Sequence, residues 1–152
     1  MKSVEIDFVV PDSAAALALY DHIFEIERIH ITDLPKGQNE AVFTLYGTRF
    51  HILDENPEFQ LTAPRPNDPK PVWFNMVVPD IRTTYDKAIT AGCTEIQPIT
   101  EIPETGGANA LFADKFGYVW MLHEMKYEVS FDERVRILEE KNEKKKEGEH
   151  GK

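Results

Sequence analysis

Side chains capable of acid–base or metal-binding chemistry alternate with apolar side chains in two short segments of this chain. Glu5 and Asp7 flank Ile6 in the first segment, and Arg49 and His51 lie two residues apart in the second. Because successive side chains of a β-strand point to opposite faces, each pair shares one face. A carboxylate beside an imidazole ligates a divalent cation, moves protons as an acid–base pair, or forms a plain ion pair. The sequence leaves these three interpretations of Glu5 and His51 open.

Two later segments with the same alternation present Trp73 with Asn75, and Met121 with His123. Trp73 would either stack on a planar ligand or simply fill its pocket. Met121 is more typical of a flexible filler, because a soft thioether suits hard divalent cations poorly. Arg49 would either clamp a carboxylate or phosphate of a ligand, or pair with one of the two carboxylates of the first segment.

The remaining reactive groups form no recognisable motif. The single Cys93 excludes an internal disulfide and is compatible with a reducing compartment. No basic cluster surrounds it in the sequence that would lower its pKa, so we predict a half-buried structural cysteine near a helix end. The sequence contains no CxxC or HExxH zinc motif and no nucleophile elbow.

An internal repeat organises the chain. The segment Phe8–Asp12 recurs as Met76–Asp80, displaced by 68 residues, and Gly47–Asp54 matches Gly117–Glu124, displaced by 70 residues. In the first pair, a strand ends at proline and an aspartate stands where a helix would begin, so we predict that this aspartate caps the helix.

Both halves of the repeat predict the order β-α-β-β-β. The predicted helices are Ser13–Ile23 and Ile81–Ala91; the strands after them are Ile26–Ile31, Glu40–Leu45 and Thr48–Leu53, then Glu95–Ile99, Ala108–Phe112 and Tyr118–His123. We expect one domain over residues 1–125, made of module one (1–56), a proline-rich linker (57–71) and module two (72–125). A charged helix or tail follows at residues 126–152, with Ser130 as its predicted cap.

Composition and charge exclude several classes of partner. A net charge of −10 and a pI near 4.9 argue against binding nucleic acid through its phosphates. No apolar run approaches the roughly 20 residues that cross a bilayer, and the N-terminal segment lacks the plan of a signal peptide. We therefore expect a cytoplasmic protein without nucleic-acid or membrane partners.

The tandem modules, with the segment Asp114–Trp120 (DKFGYVW) near their end, resemble the glyoxalase/bleomycin-resistance/extradiol-dioxygenase (vicinal oxygen chelate) superfamily. The resemblance covers about residues 4–124 and is nearest to the PhnB-like branch. It implies an α+β fold of two βαβββ modules whose sheets curl into a cup, with a C-terminal helix added here. It also implies a homodimer, onto whose partner the helix face of Phe131, Val135 and Leu138 is a candidate for docking.

The resemblance places four metal-ligand positions on the cup, two in each module. In this sequence they fall on Glu5 and His51 in module one, and on Trp73 and Met121 in module two. Because the latter two are poor ligands, no metal is expected; a divalent cation, if present, would bind Glu5 and His51. The other expected pocket residues are Asp7, Arg49, Asn75 and His123.

Three hypotheses of function follow. The first is a small-molecule-binding protein whose cup lacks the complete metal site. The second is an enzyme of the glyoxalase, isomerase or dioxygenase kind that uses Glu5 and His51 as catalytic residues, with or without a metal. The third is a dimeric interaction protein that recruits a partner through its charged tail.

Overall fold

Each half of the chain forms one helix and one four-stranded sheet, in the order that the repeat predicts. The computed structural model describes residues 2–150. Met1 of the predicted domain and residues 151–152 of the predicted tail lie outside the described residues. The first module contains β1 (Glu5–Val10), α1 (Ser13–Ile23), β2 (Ile26–Ile31), β3 (Glu40–Leu45) and β4 (Thr48–Asp54); the second contains β5 (Phe74–Val77), α2 (Ile81–Thr90), β6 (Thr94–Ile102), β7 (Gly107–Ala113) and β8 (Val119–Met125); α3 (Phe131–His150) follows.

The two sheets have the same topology. Their strand orders are β1-β4-β3-β2 and β5-β8-β7-β6, with a parallel first pair and antiparallel pairs after it. The predicted α+β fold of two βαβββ modules is confirmed. One boundary matters for the site, because β5 begins at Phe74 and Trp73 therefore lies just before the strand.

Both predicted helix caps are formed. The Asp12 carboxylate accepts a hydrogen bond from the Ala15 amide at 3.0 Å, and the Asp80 carboxylate accepts one from the Thr83 amide at 3.1 Å. Each aspartate satisfies an amide that the first helical turn leaves unpaired, and its charge complements the helix dipole. The capping aspartates thus fix where each module turns from strand to helix.

The helix-side faces of both sheets pack into one aromatic core. Phe8 and Phe50 of the first module lie 5.2 and 5.4 Å, centroid to centroid, from the Phe74 ring of the second. The Phe74 ring lies 4.7 Å from that of Trp120, which is buried in the core. Because the apolar face of each sheet packs into this core, its opposite face points outward.

A buried carboxylate ties the two modules together inside this core. One oxygen of Asp114 accepts hydrogen bonds from the Tyr20 hydroxyl of α1 at 2.6 Å and from the Trp120 indole at 2.9 Å. The other accepts the amides of Phe116 and Tyr118 at 2.8 and 3.0 Å. A buried charge is tolerated because donors surround it.

The single cysteine is structural, as predicted. Cys93 is buried after α2, and burial raises the pKa of its thiol to about 12, with a further contribution from the nearby Asp114 charge. The thiol is therefore protonated at neutral pH and is a poor nucleophile.

The C-terminal segment forms a long exposed helix. The Ser130 hydroxyl accepts a hydrogen bond from the Glu133 amide at 3.2 Å at the start of α3, and Lys141 forms an ion pair with Glu104 at 2.7 Å. On the face formed by Phe131, Val135 and Leu138, Val135 is half-buried and the other two are exposed. None of the helices between residues 2 and 150 is both long and apolar enough to cross a membrane.

The substitution Asp114→Ala is expected to reduce the free energy of unfolding by roughly 2–5 kcal/mol, because it leaves the buried Tyr20 hydroxyl and Trp120 indole N–H without an acceptor. Tyr20→Phe, which removes a donor and leaves no buried group unpaired by itself, should reduce it by about 1 kcal/mol. Urea denaturation followed by tryptophan fluorescence measures both values. A loss in Asp114→Ala no larger than that in Tyr20→Phe would contradict the proposed tie between the modules.

Candidate metal centre

The pairing of β1 with β4 assembles a polar cluster on the outward face of the first sheet. The parallel register sets Glu5 opposite Arg49 and Asp7 opposite His51. β3 lies on the other side of β4 and contributes Glu40 to the same face. The outward face therefore gathers three carboxylates, one imidazole and one guanidinium.

His51 lies between carboxylates on both sides of its ring. Its Nδ1 lies 3.5 Å from a Glu5 oxygen and 3.4 Å from an Asp7 oxygen, and its Nε2 lies 3.4 Å from a Glu40 oxygen. The side chain is 18 % exposed. Its Nε2 is shielded from solvent and has no hydrogen-bond partner among the residues that the structure describes.

Arg49 is engaged by the cluster itself. Its Nε donates a hydrogen bond to a Glu5 oxygen at 2.7 Å, while half of the side chain remains exposed. This hydrogen bond lowers the pKa of Glu5 below its ordinary value. Burial raises the pKa of Asp7, and the adjacent Glu5 carboxyl raises it further. The Glu5 carboxyl is thus close enough to oppose the ionisation of Asp7.

The arrangement suits a divalent cation. One donor atom from each of Glu5, Asp7 and His51 lies within 4.8 Å of the others. Two adjacent ligands of one ion, each bonded at ~2.1 Å, lie about 3.0–3.4 Å apart, and the two distances from His51 Nδ1 are close to that range. Two carboxylates and an imidazole form a donor set for hard or borderline ions, and three protein ligands are the usual number in catalytic sites.

The structure changes the ligand set expected from the sequence. Spacing along the strand alone puts Asp7 about 6–7 Å from Glu5, two residues away. Instead the parallel register places Asp7 directly opposite His51, with Glu5 diagonal to it. Sequence reasoning also missed Glu40, although its alternation with the buried Ala41 and Phe43 marks it as outward-facing.

The expected residues of the second module form a separate group. Asn75 lies opposite Met121, and His123 lies two residues farther along β8. Burial lowers the pKa of His123, which favours its neutral form. Within residues 2–150, no hydrogen bond or ion pair joins Trp73, Asn75, Met121 or His123 to the first-module cluster. The eight expected pocket residues therefore fall into two groups without such a contact between them in the described part of the chain.

Trp73 and Asn75 instead line a cavity of about 490 Å³ at the seam between the modules. Phe50, Phe74 and Trp120 form part of its wall, and no Asp, Glu, Lys, Arg or His lines it. The cavity between the modules and the carboxylate cluster of the first module are thus separate features.

Similar solved structures share this fold. The FosX fosfomycin resistance protein of Listeria monocytogenes, complexed with Mn(II) and sulfate, is 15% identical, with a TM-score of 0.65; the match covers 90% of this chain and 97% of that one. The PhnB protein from Bacillus cereus is 20% identical, with a TM-score of 0.60, over 81% of this chain and 99% of that one. At these identities the similarity concerns the fold.

Sequence comparison gives the family. An uncharacterized protein of Mycobacterium bovis is 26% identical over 129 residues, which are 82% of this chain and 84% of the relative. The family model described as the Glyoxalase/Bleomycin resistance protein/Dioxygenase superfamily matches residues 2–122, which include both modules. The resemblance noted in the sequence is thereby confirmed, and the chain belongs to the Glyoxalase/Bleomycin resistance protein/Dioxygenase superfamily.

Proposed function

We propose that this chain is a glyoxalase-like protein that binds a small molecule through a divalent cation held by Glu5, Asp7 and His51. The observation that carries the proposal is the convergence of their donor atoms within 4.8 Å. From the sequence, Trp73 and Met121 favoured a cup without a metal. Asp7 is the third donor that changes this preference, because it completes a ligand set without any help from the second module.

The class of ligand follows from the coordination positions of the proposed cation that the cluster does not fill. A divalent cation with three protein ligands supplies a Lewis acid with free positions for two neighbouring oxygens of a ligand. Arg49 holds Glu5 in place, and the outward face leaves the cluster accessible. FosX structures contain Mn(II) with sulfate or with 1S,2S-dihydroxypropylphosphonic acid. By analogy we propose a small, oxygen-rich ligand for this chain.

Catalysis at the same cluster is the second candidate function. It is favoured by His51, whose two ring nitrogens each lie beside a carboxylate. An imidazole in that setting takes up a proton on one side and releases one on the other. The reaction would be of the glyoxalase, isomerase or dioxygenase kind, and Glu5→Gln and His51→Ala would abolish it.

Metal binding tests the first proposal. Chelator-treated protein titrated with Mn²⁺ in a calorimeter is expected to bind one ion per chain. Asp7→Asn and His51→Ala should each weaken Mn²⁺ binding at least tenfold, because each removes a proposed ligand. Loss of a residue that only hydrogen-bonds a ligand already weakens metal binding by roughly 10–100-fold. A concentration of 100 times Kd should add about 2.7 kcal/mol to the free energy of unfolding.

His22→Ala is the control, because it also removes an imidazole but lies exposed in the last turn of α1, outside the cluster and the expected pocket. It should leave Mn²⁺ binding unchanged. Absence of stoichiometric binding in the wild-type chain, or equal affinity in Asp7→Asn, would overturn the proposed centre.

We further propose that two copies complete the cup. β1 and β5 are edge strands of their sheets, so each leaves a row of backbone groups unpaired within its sheet. Large apolar side chains are exposed beside or on β5, among them Val72, Trp73 and Val77. A second copy would cover these features and set its own second module against the first-module cluster, which one chain cannot do by itself.

Light scattering tests the dimer. At micromolar concentration the chain, whose mass is 17.5 kDa, should give about twice that mass. Val77→Asp should shift it toward the monomer, because it places a charge on a side chain that is 57% exposed in one chain and covered in the dimer. Ile96→Asp is the control, since Ile96 is 52% exposed on β6, the opposite edge of the same sheet. A monomeric wild type would exclude the shared cup.

A further inference from the structure

We infer that Glu40 is a positioning residue for His51, holding the Nε2 proton so that Nδ1 faces the cation; this rests on the proposed metal centre. Glu40 lies on β3, a strand that contributes none of the three proposed ligands. Its role would be exerted entirely through the imidazole.

The contact between Glu40 and His51 is the main support. The Glu40 oxygen lies 3.4 Å from Nε2, and this nitrogen is shielded from solvent without a hydrogen-bond partner in the described part of the chain. A shielded N–H that lacks an acceptor is costly, so a small closing movement toward Glu40 is favourable. On the other side of the ring, Nδ1 faces Glu5 and Asp7 at 3.5 and 3.4 Å.

The chemistry of imidazole makes the contact directional. Neutral histidine carries one proton and one lone pair, and a carboxylate can only accept. If Nε2 donates to Glu40, the lone pair resides on Nδ1, which is the nitrogen directed at Glu5 and Asp7. Ligating histidines generally donate their second N–H to a carboxylate or carbonyl, which fixes the tautomer and strengthens the ligand.

Glu40 is well placed for this role because its backbone is fixed. Its backbone amide donates to the Thr32 hydroxyl at 2.9 Å, and its carbonyl accepts a hydrogen bond from the Thr32 amide at 3.1 Å. These two hydrogen bonds restrict movement of the Glu40 backbone. Its second carboxylate oxygen lies 3.9 Å from Nε2 of His30. The carboxylate thus lies between two imidazoles on a paired strand.

A direct ligand role for Glu40 fits less well. Its oxygen approaches the Nε2 side of the ring, whereas Glu5 and Asp7 approach the Nδ1 side. One ion bound at Nδ1 cannot be reached from Nε2, because the two lone-pair directions of the ring diverge. Glu40 therefore acts on the centre through the orientation of His51.

Two measurements on the full-length chain test the inference. In Mn²⁺ titrations, Glu40→Ala should weaken binding by about 10–100-fold, the usual cost of losing such a partner. Glu40→Gln keeps an acceptor and should recover part of that loss. Glu27→Gln is the control, because Glu27 lies on β2 and its carboxylate contacts Thr44; it removes the same charge without touching His51.

Nitrogen-15 NMR of histidine-labelled protein gives a readout that a merely structural role would not move. On Zn²⁺ addition, the wild-type His51 signals, identified from their loss in His51→Ala, should show a metal-bound Nδ1 and a protonated Nε2. Glu40→Ala should lose that pattern while its unfolding midpoint without metal stays close to the wild type.

The outcomes separate the two proposals. Wild-type binding with equal affinities in Glu40→Ala and Glu27→Gln, or Zn²⁺ bound at Nε2, would overturn the role of Glu40 and leave the metal centre standing. A wild-type chain that binds neither Mn²⁺ nor Zn²⁺ would remove the metal centre, and the inference about Glu40 with it.

Discussion

The aromatic core shared by the two modules determines where any chemistry in this protein can occur. Phe8 and Phe50 pack on Phe74 across the module boundary, and Asp114 gathers donors from α1 and β8 at the centre of that core. Burial of large aromatic faces is the dominant stabilising term in such an arrangement. The apolar faces of both sheets pack into this core, and the polar cluster of the first module lies on an outward face.

The internal repeat preserves the parts that build the fold and changes the parts that could do chemistry. At the end of each module's last strand a carboxylate accepts the first amide of that module's helix: Asp54 from Ser13 at 2.7 Å, and Glu124 from Ile81 at 3.3 Å. On the outward faces this equivalence is lost, since the first module carries carboxylates and an imidazole where the second carries an indole and a thioether. The side chains that build the fold and those that form the cluster thus lie on opposite faces of the same strands.

Periodicity predicted the faces of the strands but not the distances across them. Alternation placed Glu5, Asp7 and His51 on outward faces from the sequence alone. Which of the two carboxylates lies opposite His51 depends on the parallel register of β1 and β4. The spacing of residues along one strand does not determine that register. Glu40 was missed for a related reason, because its importance comes from its contact with His51 on the neighbouring strand β4. Alternation placed Trp73 on a strand face with Asn75, but the strand begins one residue later, at Phe74.

The proposed cation and the proposed second copy would be linked by the electrostatics of the cluster. Glu5, Asp7 and Glu40 surround one imidazole, and Arg49 offsets only part of their charge. While the face is open to water, solvent screens the repulsion between these carboxylates. A partner that covers the face lowers the local dielectric constant and strengthens both that repulsion and the attraction for a cation. By reciprocity, a bound cation then favours the covered, dimeric state by the same free energy with which dimerisation favours the cation.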